Sequence, residues 1–440
     1  MTDMNTPICN FVNNYSHSST LRAHMPGHKG DGSIEKYDIT EIRGADSLYE
    51  ADGIILESER CAGKIFGAET FYSTEGSSLS IKAMLYLACL YAVEKGEKPL
   101  ILAARNVHKS FVNAAILLDF DIEWLYGRDS SYLECKVSPE ELTEYLKNAE
   151  RLPTALYLTS PDYLGNIQDI KALSEVCHSF NILLLVDNAH GAYLKFLPES
   201  RHPIDLGADV CCDSAHKTLP VLTGGAYLHI SKNAPRVFSG RAREALALFG
   251  STSPSYLILA SLDKFNGSLP DFASFAEDCK GLKKQILSLG YTLLGDEELK
   301  ITVDAKKYGY LGFELAEIFE SKGVFTEFSD RDFLVLMLSP SNKQGDLEKI
   351  FSVFKEIPKK EEIRLSLPRL VNPKRLMSPR DAAMSLAVEI PVSNSVGKTL
   401  AAVTVGCPPA VPIVVSGEVV DKEAVEVFKY YGIRTIKVVK

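Results

Sequence analysis

With 440 residues, 46% of them hydrophobic and 24% charged, the chain has the composition of an ordinary globular protein and the length for two domains. Its formal net charge of −9 argues against a nucleic-acid surface and against docking on acidic lipid. Nine scattered cysteines form no Cys-x-x-Cys pair, and Cys211-Cys212 lies in an apolar run, which predicts buried free thiols in a reducing compartment and not a disulfide framework or a zinc site.

The chain opens on a polar stretch, Met1-Thr2-Asp3-Met4-Asn5-Thr6, with no apolar signal core, and its longest apolar stretch, 83–93, is too short to span a bilayer. A cytoplasmic protein with no membrane partner is expected. Residues 1–50 have weak periodicity and many polar and glycine residues, which predicts an arm. Within it, His24-Met25-Pro26-Gly27-His28-Lys29-Gly30 carries two histidines four apart. Pro26-Gly27 breaks any helix between them, and no cysteine or carboxylate cluster completes a site, so no metal is expected. The bend reads either as an arm contacting something anionic or as a plain surface loop.

From residue 51 strands and helices alternate. Glu75-Gly76-Ser77-Ser78 leads into a predicted helix over about 79–94, so these residues sit where free backbone N–H groups and the helix dipole favour a phosphate. Ordinary serine capping accounts for the same pattern. Strands are predicted over 99–104, 121–126, 154–159, 182–186 and 208–212, with a helix over 170–180. Apolar strands alternating with helices indicate an α/β fold with a mostly parallel sheet, whose ligands bind at the carboxyl ends of the strands. The division expected is an arm over 1–50, a large domain over 51–265 and a smaller C-terminal α/β domain over 266–440. In the last, strands are predicted over 299–303, 324–328 and 333–338, and helices over 311–321 and 346–356. Ser378-Pro379-Arg380-Asp381 has the serine cap, early proline and acid of a helix start. Gly397-Lys398-Thr399 resembles the end of a phosphate loop, but the glycine needed five residues earlier is Val392.

The polar residues with chemistry fall at strand ends. Asp187-Asn188-Ala189-His190 ends one strand, and Ser214-Ala215-His216-Lys217 follows another. A lysine just past a buried strand is costly to desolvate, and an imine with a carbonyl cofactor removes its charge. Pyridoxal phosphate needs such a lysine, an acid for its ring nitrogen and donors for its phosphate. Asp187 suits the ring nitrogen or caps the turn that follows, and His108 stacks on a ring or is a satisfied structural histidine. Ser160-Pro161-Asp162-Tyr163-Leu164-Gly165-Asn166 follows a third strand.

Together these stretches resemble the fold-type I pyridoxal-phosphate decarboxylases acting on ornithine, lysine and arginine, in their shorter bacterial form. The likeness runs from HMPGHKG at 24–30 through EGSS at 75–78, RNVHKS at 105–110, VDNAHGAYLKF at 186–196, DSAHKTLPVLTGGA at 213–226 and STSPSYLILASLD at 251–263 to CPPAVPIVVSGE at 407–418. It implies that Lys217 carries pyridoxal 5′-phosphate, that Asp187 pairs with the ring nitrogen, and that His108 and Ala189 cover the two ring faces. Gly76, Ser77, Ser78, Ser214 and His216 are implied around the phosphate, and His190 near the ring hydroxyl. Ser251 and Thr252 are implied to reach the cofactor of a neighbouring subunit, so a homodimer with shared sites is expected. Catalysis falls to Lys217, Asp187, His108 and His216.

The implied reaction is decarboxylation of a basic L-amino acid, arginine or lysine ahead of ornithine. Glu418, Asp162 and the acidic segment 38–59 are candidates to meet the substrate's distal cation. Two other readings stand beside it: an aminotransferase or carbon–carbon lyase, with Arg364, Arg369, Arg375 or Arg380 clamping a carboxylate, and a catalytically silent regulatory relative. The chain departs from the family pattern in starting at the arm without a wing domain. It also has Asn188 where relatives often have Glu and Gly224-Gly225 where they often have a glutamine.

Overall fold

Short, doubly buried strands organise the chain. A computed structural model describes residues 5–127, 132–365, 368, 371–402, 405–407 and 411–440. Its first seven strands are β1 (Glu69–Ser73), β2 (Leu100–Ala104), β3 (Asp121–Leu125), β4 (Ala155–Thr159), β5 (Leu183–Asp187), β6 (Val210–Asp213) and β7 (Ala226–Ile230). Every residue of β2, β5, β6 and β7 is buried, which is why β2, and β5 and β6 up to their terminal aspartates, are apolar runs and not alternations.

Contacts divide the chain into two compact units. The first comprises Met1–Glu97 and Ile170–Asp271. In it β5 pairs in parallel with β6, setting Asp187 opposite Cys212. β7 pairs antiparallel with both β6 and β1, so β1, β5 and β6 all point the same way and share one carboxyl edge. The helix Ser77–Glu94 is apolar around most of its circumference because it is enclosed on most sides, and it packs against the helix Arg236–Phe249.

The expected arm begins with structure of its own. Pro7–Ser16 is a helix packed against Ile54–Phe66 and Tyr256–Gly267. Only Pro7, Ile8 and Val12 of it are buried, too few to give a clear period in the sequence. Beyond it the Arg22 guanidinium donates to the carbonyls of Glu35, Lys36 and Asp38 and holds the glycine-rich bend together. His24 bonds to Tyr15 at 2.6 Å and His28 to Asp38 at 3.2 Å, so each histidine has its own partner.

The second unit comprises Lys98–Asp169 and Phe272–Lys440. Here β2 lies between β3 and β4, all parallel. A separate antiparallel sheet contains β8 (Leu293–Leu294), β9 (Lys300–Asp304), β10 (Phe328–Ser329) and β11 (Phe333–Met337) in the order β10-β11-β9-β8. The strand expected over 324–328 is reduced to β10, and Phe325 is 83% exposed. Ser378 caps the helix Pro379–Met384 through the N–H of Asp381, as its spacing predicts. At the C-terminal end Ala387–Pro391 pairs antiparallel with Thr435–Val439 over a core that includes Leu400, Phe428 and Val438.

Candidate active site

Three chain reversals at the shared carboxyl edge of the first unit bring the predicted residues together. β5 ends in Asp187, only 2% exposed, and runs into Asn188, Ala189 and His190, all buried. β6 ends in Asp213 and is followed by Ser214 and the short helix Ala215–Thr218, which carries His216 and Lys217. β1 ends in Ser73, and a turn through Gly76 starts the helix at Ser77.

The Nζ of Lys217 lies 2.9 Å from Nε2 of His190. Asp187 Oδ1 accepts the Ala189 N–H at 3.2 Å and faces the Cys212 thiol at 3.7 Å. Ser214 Oγ donates to Ser77 Oγ at 2.7 Å, which joins the lysine turn to the helix N-terminus. Gly76 has φ +71, and a Cβ built there would meet nothing within 4 Å, so the helix start opens onto free space. Its N–H donates to Gly224 O at 2.8 Å. Gly224 in turn has φ +97, and a Cβ on it would sit 2.8 Å from Thr74 O, so only glycine fits that contact. His216 Nδ1 is 3.0 Å from Gly225 O and donates to it. Ser78, Ser251 and Thr252 are exposed, and the Ser251 N–H donates to Glu75 at 2.6 Å.

Behind this turn lies a group that the sequence reading missed. Asp213 is fully buried and accepts from Asn188 Nδ2 at 2.6 Å, His202 Nε2 at 3.1 Å and His229 Nε2 at 3.2 Å. Burial alone would raise its carboxyl, but the two histidines override that and hold it well below the usual carboxylate range. Burial pushes the His229 ring down, against the pull of Asp213. His202, Cys211 and Asp213 are also a group of metal-ligand types among the described residues, with ligand atoms within 4.8 Å of one another. An acid at the end of an apolar strand was the only hint in the sequence, since its partners lie 11, 16 and 25 residues away.

Other expected residues belong to the second unit. His108 caps the helix Lys109–Leu118, its Nδ1 accepting the Ser110 N–H at 3.2 Å, which leaves Nε2 as the protonated nitrogen. Asp162 and Glu418, expected as partners of a substrate cation, are each 2% exposed and taken by protein groups. Asp162 accepts the N–H groups of Leu164 and Asn166 and the Asn166 amide, each at 2.9 Å. Burial pushes its carboxyl up to about 7, although Asn166 and Lys300 pull it down. Glu418 accepts from Arg105 at 3.2 Å and from the Val415 N–H at 2.6 Å. Arg105 also donates to the carbonyls of Pro412 and Ile413. Of the arginines considered as a carboxylate clamp, Arg375 and Arg380 donate to backbone carbonyls, and Arg369 lies outside the described residues.

The first-unit groups fit pyridoxal phosphate: an amine for its aldehyde, a buried carboxylate for its ring nitrogen, and a helix N-terminus flanked by serines for its phosphate. The fold is that of the fold-type I α/β enzymes. It matches the lysine decarboxylase LdcF of Francisella novicida with a TM-score of 0.81 at 17% identity, covering 100% of this chain and 82% of that one. It matches the constitutive lysine decarboxylase of Escherichia coli with a TM-score of 0.76 at 17% identity, covering 99% and 82%.

Residues 6–269 match the model of the Orn/Lys/Arg decarboxylase major domain, and the chain belongs to that family. It is 30% identical to the uncharacterised protein YaaO of Bacillus subtilis, over 96% of this chain and 93% of that one. It is 27% identical to the arginine decarboxylase of the same organism, over 98% and 94%. No helix among the described residues is long and apolar enough to cross a membrane.

Proposed function

We propose that this protein uses pyridoxal 5′-phosphate held on Lys217 to decarboxylate a basic L-amino acid, arginine or lysine ahead of ornithine, giving the amine and carbon dioxide. The observation that carries the reading is the convergence of Lys217, His190 and Asp187 beside the Ser77–Ser214 pair. When bound, the cofactor supplies the electron sink for the bonding pair that the departing carboxyl group leaves behind.

The chain's own groups have separate tasks. Lys217 Nζ holds the cofactor, and its 2.9 Å contact with His190 Nε2 provides a path for a proton between the two nitrogens. Asp187, buried at the end of β5, keeps a proton on the ring nitrogen by offering it a fixed negative partner. Gly76, Ser77, Ser78, Ser214 and His216 would hold the phosphate. Ala189 would cover one face of the ring, and the family likeness assigns His108 to the other. The exposed Ser251 and Thr252 contribute to the site of a second copy, which makes the working unit a homodimer in the cytoplasm.

The substrate reading is supported by family membership and by the name of the Bacillus subtilis relative. With Asp162 and Glu418 committed to protein partners, the exposed acids Glu41, Glu50, Asp52 and Glu57 in segment 38–59 become the candidates to meet a distal cation. The test is a panel of arginine, lysine and ornithine assayed for carbon dioxide and amine. Release from at least one, with the matching amine, is expected. Exchange of amino for keto groups without carbon dioxide would replace this reading with that of an aminotransferase.

A further inference from the structure

The proposed chemistry leaves unused the carboxylate behind the Asp187–His190 turn. Asp213 accepts only hydrogen bonds, and each of its donors has one workable polarity. Thr70 Oγ1 lies 2.9 Å from His229 Nδ1 and can donate to it, which leaves the ring hydrogen on Nε2, facing Asp213. The Asn188 amide must present its nitrogen to the carboxylate. The backbone of Asn188 is tied as well: its N–H donates to Cys212 O at 3.0 Å, and its carbonyl accepts the Gly191 N–H at 2.8 Å. Asn188 is therefore pinned at three points, with Asp187 on one side of it and Ala189 and His190 on the other. A buried carboxylate with fewer partners would be costly, and a neutral acceptor in its place would hold the amide less firmly.

We infer that Asp213 is a positioning residue: through Asn188 it fixes the turn from Asp187 to His190 on which the cofactor cradle is built. The inference rests on the reading of Asp187, His190 and Lys217 as that cradle. The Asn188–Asp213 pair is directional, and its direction can be inverted with little change of shape. In the double variant Asn188→Asp/Asp213→Asn, the amide on β6 still offers an oxygen to His202 and His229 and donates from its nitrogen to the new carboxylate on the turn. Asn188→Asp alone sets two carboxylates in contact in a dry site.

Two quantities test this: hydrogen exchange of the backbone amides of residues 188–191 in cofactor-free protein, and the affinity of the same protein for added pyridoxal phosphate. Asn188→Asp is expected to speed exchange and weaken affinity by about tenfold or more, and the double variant to return both to within about threefold of wild type. Asp213→Asn, which keeps the shape and removes the charge, should show the same changes more weakly and serves if Asn188→Asp alone does not fold. Single variants that melt like wild type with unchanged exchange and affinity, or a double variant no better than the worse single, would overturn the inference. If wild type itself does not bind the cofactor, the proposed function fails, and the exchange measurement still decides the role of Asp213.

Discussion

Lys217 and His190 are 27 residues apart in the chain, and their side-chain nitrogens are 2.9 Å apart. The contact exists because β5 and β6 are parallel neighbours whose carboxyl ends release one residue each into the same space. The lysine's neighbour is thus set by sheet topology, while the hydroxyl and imidazole beside it in sequence point elsewhere: Ser214 to Ser77 and His216 to Gly225.

Asp187→Asn keeps an oxygen for the Ala189 N–H and so should fold normally. It removes the fixed negative charge at the end of β5, and turnover should fall by about 100-fold or more with cofactor content unchanged. Steady-state rates alongside absorbance of the bound cofactor check this, and near-normal turnover would mean that the ring nitrogen has another partner.

Much of this site was legible in the sequence because its elements are local. Strands such as Leu100–Ala104 and Leu183–Asp187 are buried along their whole length and so appear as unbroken apolar runs. The residues after them could be assigned to strand ends from that alone. Three things were not legible. β1 and β7 mix aromatic, hydroxyl and histidine side chains, and their antiparallel pairing is visible only in three dimensions. Asp162 and Glu418 looked like free acids, because nothing in their neighbourhoods announces a carboxylate folded into its own loop or joined to an arginine 313 residues away. The Asp213 network joins residues from separate segments, so no spacing rule could have found it.

Asp162 predicts a pH effect on stability. Its folded carboxyl titrates near 7 because burial disfavours the anion, whereas the unfolded value is about 4. A raised value means that the stability contributed by the protonated form is fully present below pH 4 and is lost as pH rises through 7. Between pH 5 and 7 wild type should lose up to about 1.4 kcal/mol per pH unit relative to Asp162→Asn, which cannot ionise. Urea melts of both proteins across that range check the slope, and parallel curves would contradict it.

The Arg105–Glu418 pair is buried at both ends, 1% and 2% exposed. Glu418→Ala leaves the guanidinium short of its counter-charge and the Val415 N–H without its acceptor. The expected loss is about 3–5 kcal/mol, against a smaller loss for Glu418→Gln, which retains an oxygen. Denaturant titration separates the two, and a loss below about 1 kcal/mol for the alanine variant would show that the pair contributes little.

Ser251 and Thr252 are exposed beside a turn whose Ser251 N–H is held by Glu75. If they complete a second copy's site, two inactive variants, Lys217→Ala and Thr252→Ala, should regain up to about a quarter of wild-type activity when mixed and reassociated, since one site in a mixed dimer is then intact. Absence of any recovery in a sample shown to contain mixed dimers would place these residues in their own subunit's site or in none.

The most direct measurement is the mass of the peptide containing Lys217 after borohydride reduction of the protein loaded with pyridoxal phosphate. A stable adduct of the reduced cofactor on Lys217 is expected, with loss of the visible absorption band. An adduct on a different lysine, or no adduct on a protein that nevertheless releases carbon dioxide from a basic amino acid, would contradict it.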